Sequence, residues 1–218
     1  RCKQMAEINP MLGKRGVRLG ILLPELYKMQ VKAIIKASIS VYGKNQKEFP
    51  PEIMLPMVSS FKEVNLLKKL IDDVVSAINK EINFPINYKL GVMVETPRAA
   101  LKAGELAKIS SFLSFGTNDL TQMTYGLSRD DSGTFMRDYL EKGIFPVDPF
   151  RSLDLDGVGE LLKIASKKSR AANPSIKIGI CGEHGGDPES IDFCKKMGLD
   201  FVSCSPFRVP VARIAAAQ

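Results

Sequence analysis

Short runs of almost uninterrupted apolar residues alternate along this chain with stretches whose apolar side chains recur every three to four positions. That alternation constrains the fold more than any other feature. Residues 52–58 (EIMLPMV), 89–95 (KLGVMVE), 112–116 (FLSFG), 177–182 (KIGICG) and 201–205 (FVSCS) read as strands. A less distinct strand is expected within residues 9–21. Strands that are apolar on both sides must be covered on both faces, and strands separated by helices run parallel.

The intervening helices carry their own punctuation. Ser60 and Glu63 form a capping box, and Val64, Leu67, Ile71, Val74 and Ile78 share a face of the helix that follows. Thr96-Pro97 is an N-cap with Pro at the first helical position. Another helix starts at Asp187-Pro188 and stops at Gly198. Residues 24–41 read as a helix with Leu26, Met29, Ala33, Ala37 and Val41 on one face. Residues 128–154, with Gly133, Gly143, Pro146 and Pro149, read as mostly loop, with a short helix near 134–140. The chain ends in an Ala-rich helical tail. The total is about six βα units, against the eight of a closed barrel of about 250 residues. The expected fold class is therefore α/β, a TIM-type (β/α)8 barrel, here incomplete.

Composition excludes several classes. A chain of 218 residues, 44% apolar and 25% charged, buries a core without disulfides or metals. No run approaches the ~20 apolar residues of a bilayer span, and residues 1–8 lack a signal peptide's apolar stretch. The chain does not start with Met, so a native N-terminus is expected to be missing. The balance of 31 basic and 24 acidic residues gives +7, but the lysines are scattered and there is no Trp, which reads as a solvated surface and not a nucleic-acid groove. A preference for small anionic substrates agrees with that sign. Cys2, Cys181, Cys194 and Cys204 form no C-x-x-C pair, so a reduced, cytoplasmic protein is expected.

In parallel α/β folds the chemistry sits beyond the C-terminal strand ends. Glu95 ends one expected strand, Asn118 and Asp119 follow the next, and Cys181 ends the one after. Two carboxylates on neighbouring strand ends suit a hard cation such as Mg²⁺, which takes one or two carboxylates plus substrate oxygens and waters. Each carboxylate has a second reading as a helix cap. The string Phe115-Gly116-Thr117-Asn118-Asp119 offers backbone N–H groups at a helix start, a cradle for an oxyanion or phosphate. Cys181 opens a glycine-rich turn, where a thiol exchanges protons. Cys194 and Cys204 read as packing residues. His184 is the only histidine, and beside glycines it reads as structural.

The strings NPMLGKRG from Asn9, GVMVETPRAAL from Gly91, FLSFGTNDLTQMTYGLSRDD from Phe112, GICGEHGGDP from Gly179 and VSCSPFRVPVARIAAAQ from Val202 together resemble the phosphoenolpyruvate-utilising enzymes. GTNDLTQ and CGE mark that whole family, phosphoenolpyruvate synthase and enzyme I of the sugar phosphotransferase system included. EHGG and SPFRVPVAR point to its pyruvate, phosphate dikinase branch. The resemblance covers essentially the whole chain, as one domain, 1–218, whose first two barrel units, each bearing a substrate-binding Arg, are not in it.

The resemblance implies a barrel that binds phosphoenolpyruvate or pyruvate and exchanges a phosphoryl group with a phosphohistidine on another domain. It implies that Glu95 and Asp119 hold Mg²⁺. Gly116, Thr117, Asn118 and Asp119 line the substrate, Arg15 and Arg129 contact its phosphate or carboxylate, and Cys181 moves a proton at the methylene carbon. The implied partners are the phosphohistidine and ATP-binding domains of one longer enzyme and a second copy in a homodimer. Phe201 stands where that family has a Tyr. No phosphorylatable His motif is recognisable. The rival readings are a phosphoenolpyruvate synthase domain and a non-catalytic dimerisation module. An incomplete barrel leaves two sheet edges, expected to be covered by another copy, filled by rearranged segments or poorly ordered.

Overall fold

The computed structural model describes residues 7–82 and 84–218, apart from the side chain of Lys44. Cys2 lies outside them. Five strands, β1 (Glu52–Leu55), β2 (Lys89–Val94), β3 (Phe112–Gly116), β4 (Lys177–Cys181) and β5 (Phe201–Val202), form one sheet in the order β1-β2-β3-β4-β5. Every pairing is parallel. The helices are α1 (Val17–Leu22), α2 (Pro24–Tyr42), α3 (Phe61–Ile82), α4 (Pro97–Leu101), α5 (Ala103–Ala107), α6 (Thr117–Tyr125), α7 (Met136–Glu141), α8 (Val158–Ala172), α9 (Pro188–Lys196) and α10 (Val209–Ala217). Five consecutive strands with crossover helices make an incomplete (β/α) barrel, open at β1 and β5.

The expected sixth strand is absent among the described residues. Its stretch is a 3₁₀ turn, Pro10–Leu12, followed by α1. The alternation V-R-L-G-I suggests period 2, but Val17 and Gly20 also stand three apart and are the buried pair. Gly16, at φ 56°, turns the chain into the helix, and the Val17 N–H donates to the Pro56 carbonyl at 3.1 Å. Pro56, with no N–H to give the ladder, ends β1 three residues before the expected stop.

The two faces of the sheet differ. Ile53, Leu55, Leu90, Val92, Val94, Leu113, Phe115, Ile178 and Ile180 lie under the helices and are buried. The alternate residues, among them Met54, Met93, Ser114, Cys181 and Phe201, line the inner face, where the centre of a closed barrel would be. Gly91 and Gly179 give this face room: a Cβ on Gly91 would strike the Phe112 ring, and one on Gly179 the Phe201 ring. Those two rings meet edge to face with centroids 6.3 Å apart.

The helix caps form as their residues require. Glu63 accepts from the Ser60 N–H at 2.8 Å and the Ser59 N–H at 2.7 Å. The Thr96 hydroxyl accepts from the Ala99 N–H, Asp187 accepts from the Ser190 N–H, and Gly198 takes φ 71° after α9. On α3, Val64, Leu67, Ile71 and Ile78 are buried as expected, with Val75 in place of Val74. The face expected for α2 is the wrong one. Val31, Ile35 and Ser38 are buried, while Met29 (60%) and Val41 (72%) are exposed. The helix has two apolar stripes at helical spacing, and α3 packs against only one.

Candidate active site

Register builds the site. Val94 pairs with Phe115 and Gly116 pairs with Cys181, so Glu95, Gly116 and Cys181 form one row across the exits of β2, β3 and β4. Gly116 must lack a side chain, because a Cβ there would lie 2.7 Å from Glu95 Oε2. Three expected site residues therefore meet along a single rung, an alignment that the register adds to their strand-end positions.

Glu95 is buried, and its Oε1 accepts the Met57 N–H at 2.5 Å. It does not cap α4, since Thr96 does. Burial pushes its carboxyl up to about 7; the Met57 bond and the Arg15 charge oppose that, while the Asp119 charge and hydrogen bond add to it. Asp119 sits in the first turn of α6, which begins at Thr117, earlier than the expected Leu120. Its Oδ1 accepts a hydrogen bond from Arg15 Nη2 at 2.7 Å, and the same Nη2 lies 3.2 Å from Met57 Sδ. Asp119 thus makes a long-range ion pair, not an N-cap.

Two carboxylates near one another, one of them buried and holding its proton to unusually high pH, form a site that a cation would relieve. Among the described residues no group of three or more His, Cys, Asp or Glu forms a metal cage. The two carboxylates by themselves suit a hard cation that draws its remaining ligands from other oxygens and water.

Cys181 is half-buried, its Sγ 3.4 Å from the Phe115 carbonyl and 3.5 Å from Met93 Sδ. Burial raises its pKa, a Ser114 hydrogen bond opposes this, and the Glu95 charge adds to it. The group is a thiol, a proton donor held against the inner face. Cys194 is buried and pushed up to about 12 by desolvation, and Cys204 packs against Ile191, Ala212 and Ala215, so both are packing residues.

Thr117 and Asn118 turn toward the exit of β4. Asn118 Oδ1 accepts the Glu183 N–H at 3.3 Å. Thr117 Oγ1 lies 3.2 Å from the Cys181 carbonyl oxygen and 2.7 Å from His184 Nδ1. Arg129 stands apart from the carboxylates. Its N–H donates to Gln122 Oε1 at 2.8 Å, and its guanidinium lies 3.6 Å from Glu183. Phe201 lies two residues below the row of Cys181, its ring over Gly179, so it takes no part in the rung.

Sequence reasoning missed Met57 and read His184 only as structural. Met57 holds φ 56°, a left-handed conformation rare for a side chain of its size, and so aims its N–H at Glu95. No local pattern in residues 55–58 announces it. His184 is completely buried with both ring nitrogens in contact; its position in the CGEHGG string is the one available signal.

The PEP-utilising enzyme, PEP-binding domain family model matches residues 1–218. Pyruvate, phosphate dikinase, chloroplastic, of Mesembryanthemum crystallinum is 54% identical over 100% of this chain and 23% of its own length. Pyruvate, phosphate dikinase 1, chloroplastic, of Arabidopsis thaliana is 54% identical over 100% and 22%. Pyruvate, phosphate dikinase of Clostridium symbiosum is 50% identical over 99% and 25%. The chain thus spans about a quarter of the length of these curated relatives. Among solved structures, a citrate lyase from Burkholderia xenovorans LB400 superimposes with a TM-score of 0.51 at 15% identity, over 76% of this chain and 48% of the other, a likeness of fold alone. No described helix is long and apolar enough to cross a membrane.

Proposed function

The chain belongs to the PEP-utilising enzymes by their PEP-binding domain, and on that premise we propose that residues 1–218 form the phosphoenolpyruvate- and pyruvate-binding domain of a pyruvate, phosphate dikinase. The overall reaction turns ATP, phosphate and pyruvate into AMP, diphosphate and phosphoenolpyruvate. This domain carries the step in which pyruvate enolate and a phosphohistidine on another domain exchange a phosphoryl group. The observation that carries the reading is the rung of Glu95, Gly116 and Cys181, with Asp119 and Arg15 folded across it.

In this reading Glu95 and Asp119 hold Mg²⁺, which when bound stabilises negative charge on the enolate and carboxylate oxygens. The backbone from Gly116 to Asp119 lines the substrate. Arg15 and Arg129 pair with its phosphate and carboxylate oxygens, the geometry a guanidinium fork serves best. When phosphoenolpyruvate gives up its phosphoryl group, Cys181 passes its proton to the methylene carbon, and in reverse the thiolate takes a proton from the methyl group. A buried thiol with a raised pKa holds that proton ready.

The same reading includes the phosphohistidine and ATP-binding domains as partners and a second copy in a homodimer, as the resemblance to the dikinases implies. Its described cysteines are all free, in keeping with a reducing compartment such as the cytoplasm. The deciding experiment is exchange of pyruvate methyl protons into deuterated water by the native protein with Mg²⁺. Cys181→Ser is expected to fold normally and lose exchange by about 100-fold or more, the usual scale of a general acid–base group. Exchange at the normal rate in that variant removes Cys181 from the chemistry.

A further inference from the structure

His184 is used by no step above, yet it is completely enclosed beside the site. It lies in the 3₁₀ turn Glu183–Gly186 that follows β4, and none of it is exposed. Its Nε2 is 2.9 Å from the Pro149 carbonyl oxygen and its Nδ1 is 2.7 Å from Thr117 Oγ1. A carbonyl oxygen only accepts, so Nε2 carries the hydrogen. Burial disfavours the charged ring, and a neutral ring has one N–H, which leaves Nδ1 as an acceptor. The Thr117 hydroxyl therefore donates to Nδ1. It has one proton to give, and the 2.7 Å contact takes it in preference to the Cys181 carbonyl at 3.2 Å.

Three segments meet at this imidazole: the turn after β4, the long connection between α6 and α8 through Pro149, and the first residue of α6 through Thr117. The same turn holds the next residue, because the Glu183 N–H donates to Asn118 Oδ1 and a side chain on Gly182 would come within 2.9 Å of that oxygen. Asp119 follows in the first turn, its carboxylate 2.7 Å from Arg15. Whatever fixes Thr117 fixes the direction in which α6 leaves β3.

We propose that His184 is a positioning residue for the phosphoenolpyruvate site: wedged between the Pro149 carbonyl and the Thr117 hydroxyl, its ring sets the start of α6 and thereby the aim of Asp119. The inference rests on the reading of that site given above, and it makes one demand of its own, that the acceptor nitrogen facing Thr117 matters more than the donor facing Pro149.

Two variants separate the nitrogens. His184→Asn keeps an acceptor near the position of Nδ1, and His184→Gln keeps a donor near that of Nε2. In the native protein, titrated with phosphoenolpyruvate in Mg²⁺, His184→Asn is expected to bind within about threefold of the unaltered protein, while His184→Gln weakens by about tenfold, one hydrogen bond's worth. A merely structural histidine gives losses that follow thermal stability in both variants, and that result, or equal losses, overturns the inference. The ligand-free protein gives a second measurement. Nitrogen NMR of the ring is expected to show hydrogen on Nε2 and none on Nδ1; the opposite tautomer overturns the inference even where a variant fails to fold. If the unaltered protein binds no phosphoenolpyruvate, the functional reading falls by itself. His184 is then judged by that tautomer and by amide exchange at Leu120 and Thr121, faster in His184→Gln than in His184→Asn if it positions α6 and equal in both if it does not.

Discussion

The outer and inner faces of the sheet are built on the same strands and do opposite work. Outward, Leu90, Val92, Val94, Leu113, Phe115, Ile178 and Ile180 are uniformly apolar and sealed under helices. Inward, the alternate positions carry sulfur, hydroxyl, carboxylate and bare glycine, and Phe201 on that face remains 36% exposed. Because side chains alternate with period 2, one step along a strand changes a residue's task from holding the fold to presenting chemistry. The outer face presents only apolar side chains to the helices. The inner face gives up packing, with Gly91, Gly116 and Gly179 as the places where a neighbour's ring or carboxylate comes in.

This division can be broken most severely at the carboxylates. Glu95→Gln and Asp119→Asn are each expected to lower Mg²⁺-dependent turnover of the native protein by about a thousandfold or more, roughly 4 kcal/mol of transition-state stabilisation. Thermal stability should not fall with it in Glu95→Gln. Near-normal turnover in either variant refutes the cation assignment. Next in size is a cavity on the outer face. Phe115→Ala should cost about 3–5 kcal/mol in urea unfolding, whereas Phe201→Ala, on the half-open side, should cost much less. Equal costs would mean that the two faces are packed alike.

Glu95 also writes its position into the pH dependence. Its folded pKa is raised from the ordinary 4.5 to about 7, chiefly by burial. Across that window the native state holds more protons than the unfolded one, so stability falls as pH rises from about 4.5 to 7 and stays lowered above it. The loss amounts to a few kcal/mol at most, at about 1.4 kcal/mol per pH unit. Glu95→Gln should remove this slope, and an unchanged slope in unfolding midpoints would place the titration elsewhere. His184 acts at the acid side with the opposite sign: its pKa is lowered by burial, so its contribution is lost as pH drops below the unfolded value of 6.5. The smallest effect expected is Phe201→Tyr, within about 0.5 kcal/mol in stability, as for a half-exposed ring, and neutral in phosphoenolpyruvate affinity. A changed affinity would bring that position into the site.

Much of this was legible in the sequence, and the reasons for the rest are local. The strands could be read because their outer residues are all Ile, Leu, Val or Phe, and the helix starts because Thr96, Ser60 and Asp187 announce themselves. Glu95, Gly116 and Cys181 could be placed on three strand ends, but only register shows that they form one rung. Residues 17–21 satisfied two periods at once over too few residues to decide between them. The face of α2 could not be chosen because both its stripes are apolar, and the choice belongs to α3. Met57 was invisible because its left-handed backbone follows from Pro56, Gly16 and Glu95 converging on it from separate segments. The His184 contacts span 67 and 35 residues of sequence, distances no spacing rule reaches.

The bare stripe of α2 has a consequence for handling the protein. With Met29 and Val41 facing water, dispersion of the chain depends on a contest between cohesion of those side chains and mutual repulsion from a net charge of +7. Repulsion reaches about 10 Å at 0.1 M salt and about 3 Å at 1 M, while sulfate strengthens apolar cohesion. The chain should therefore stay clear in dilute buffer and cloud on addition of sulfate well before its charge alone would suggest, and replacing Val41 by a lysine should shift that clouding point to higher salt.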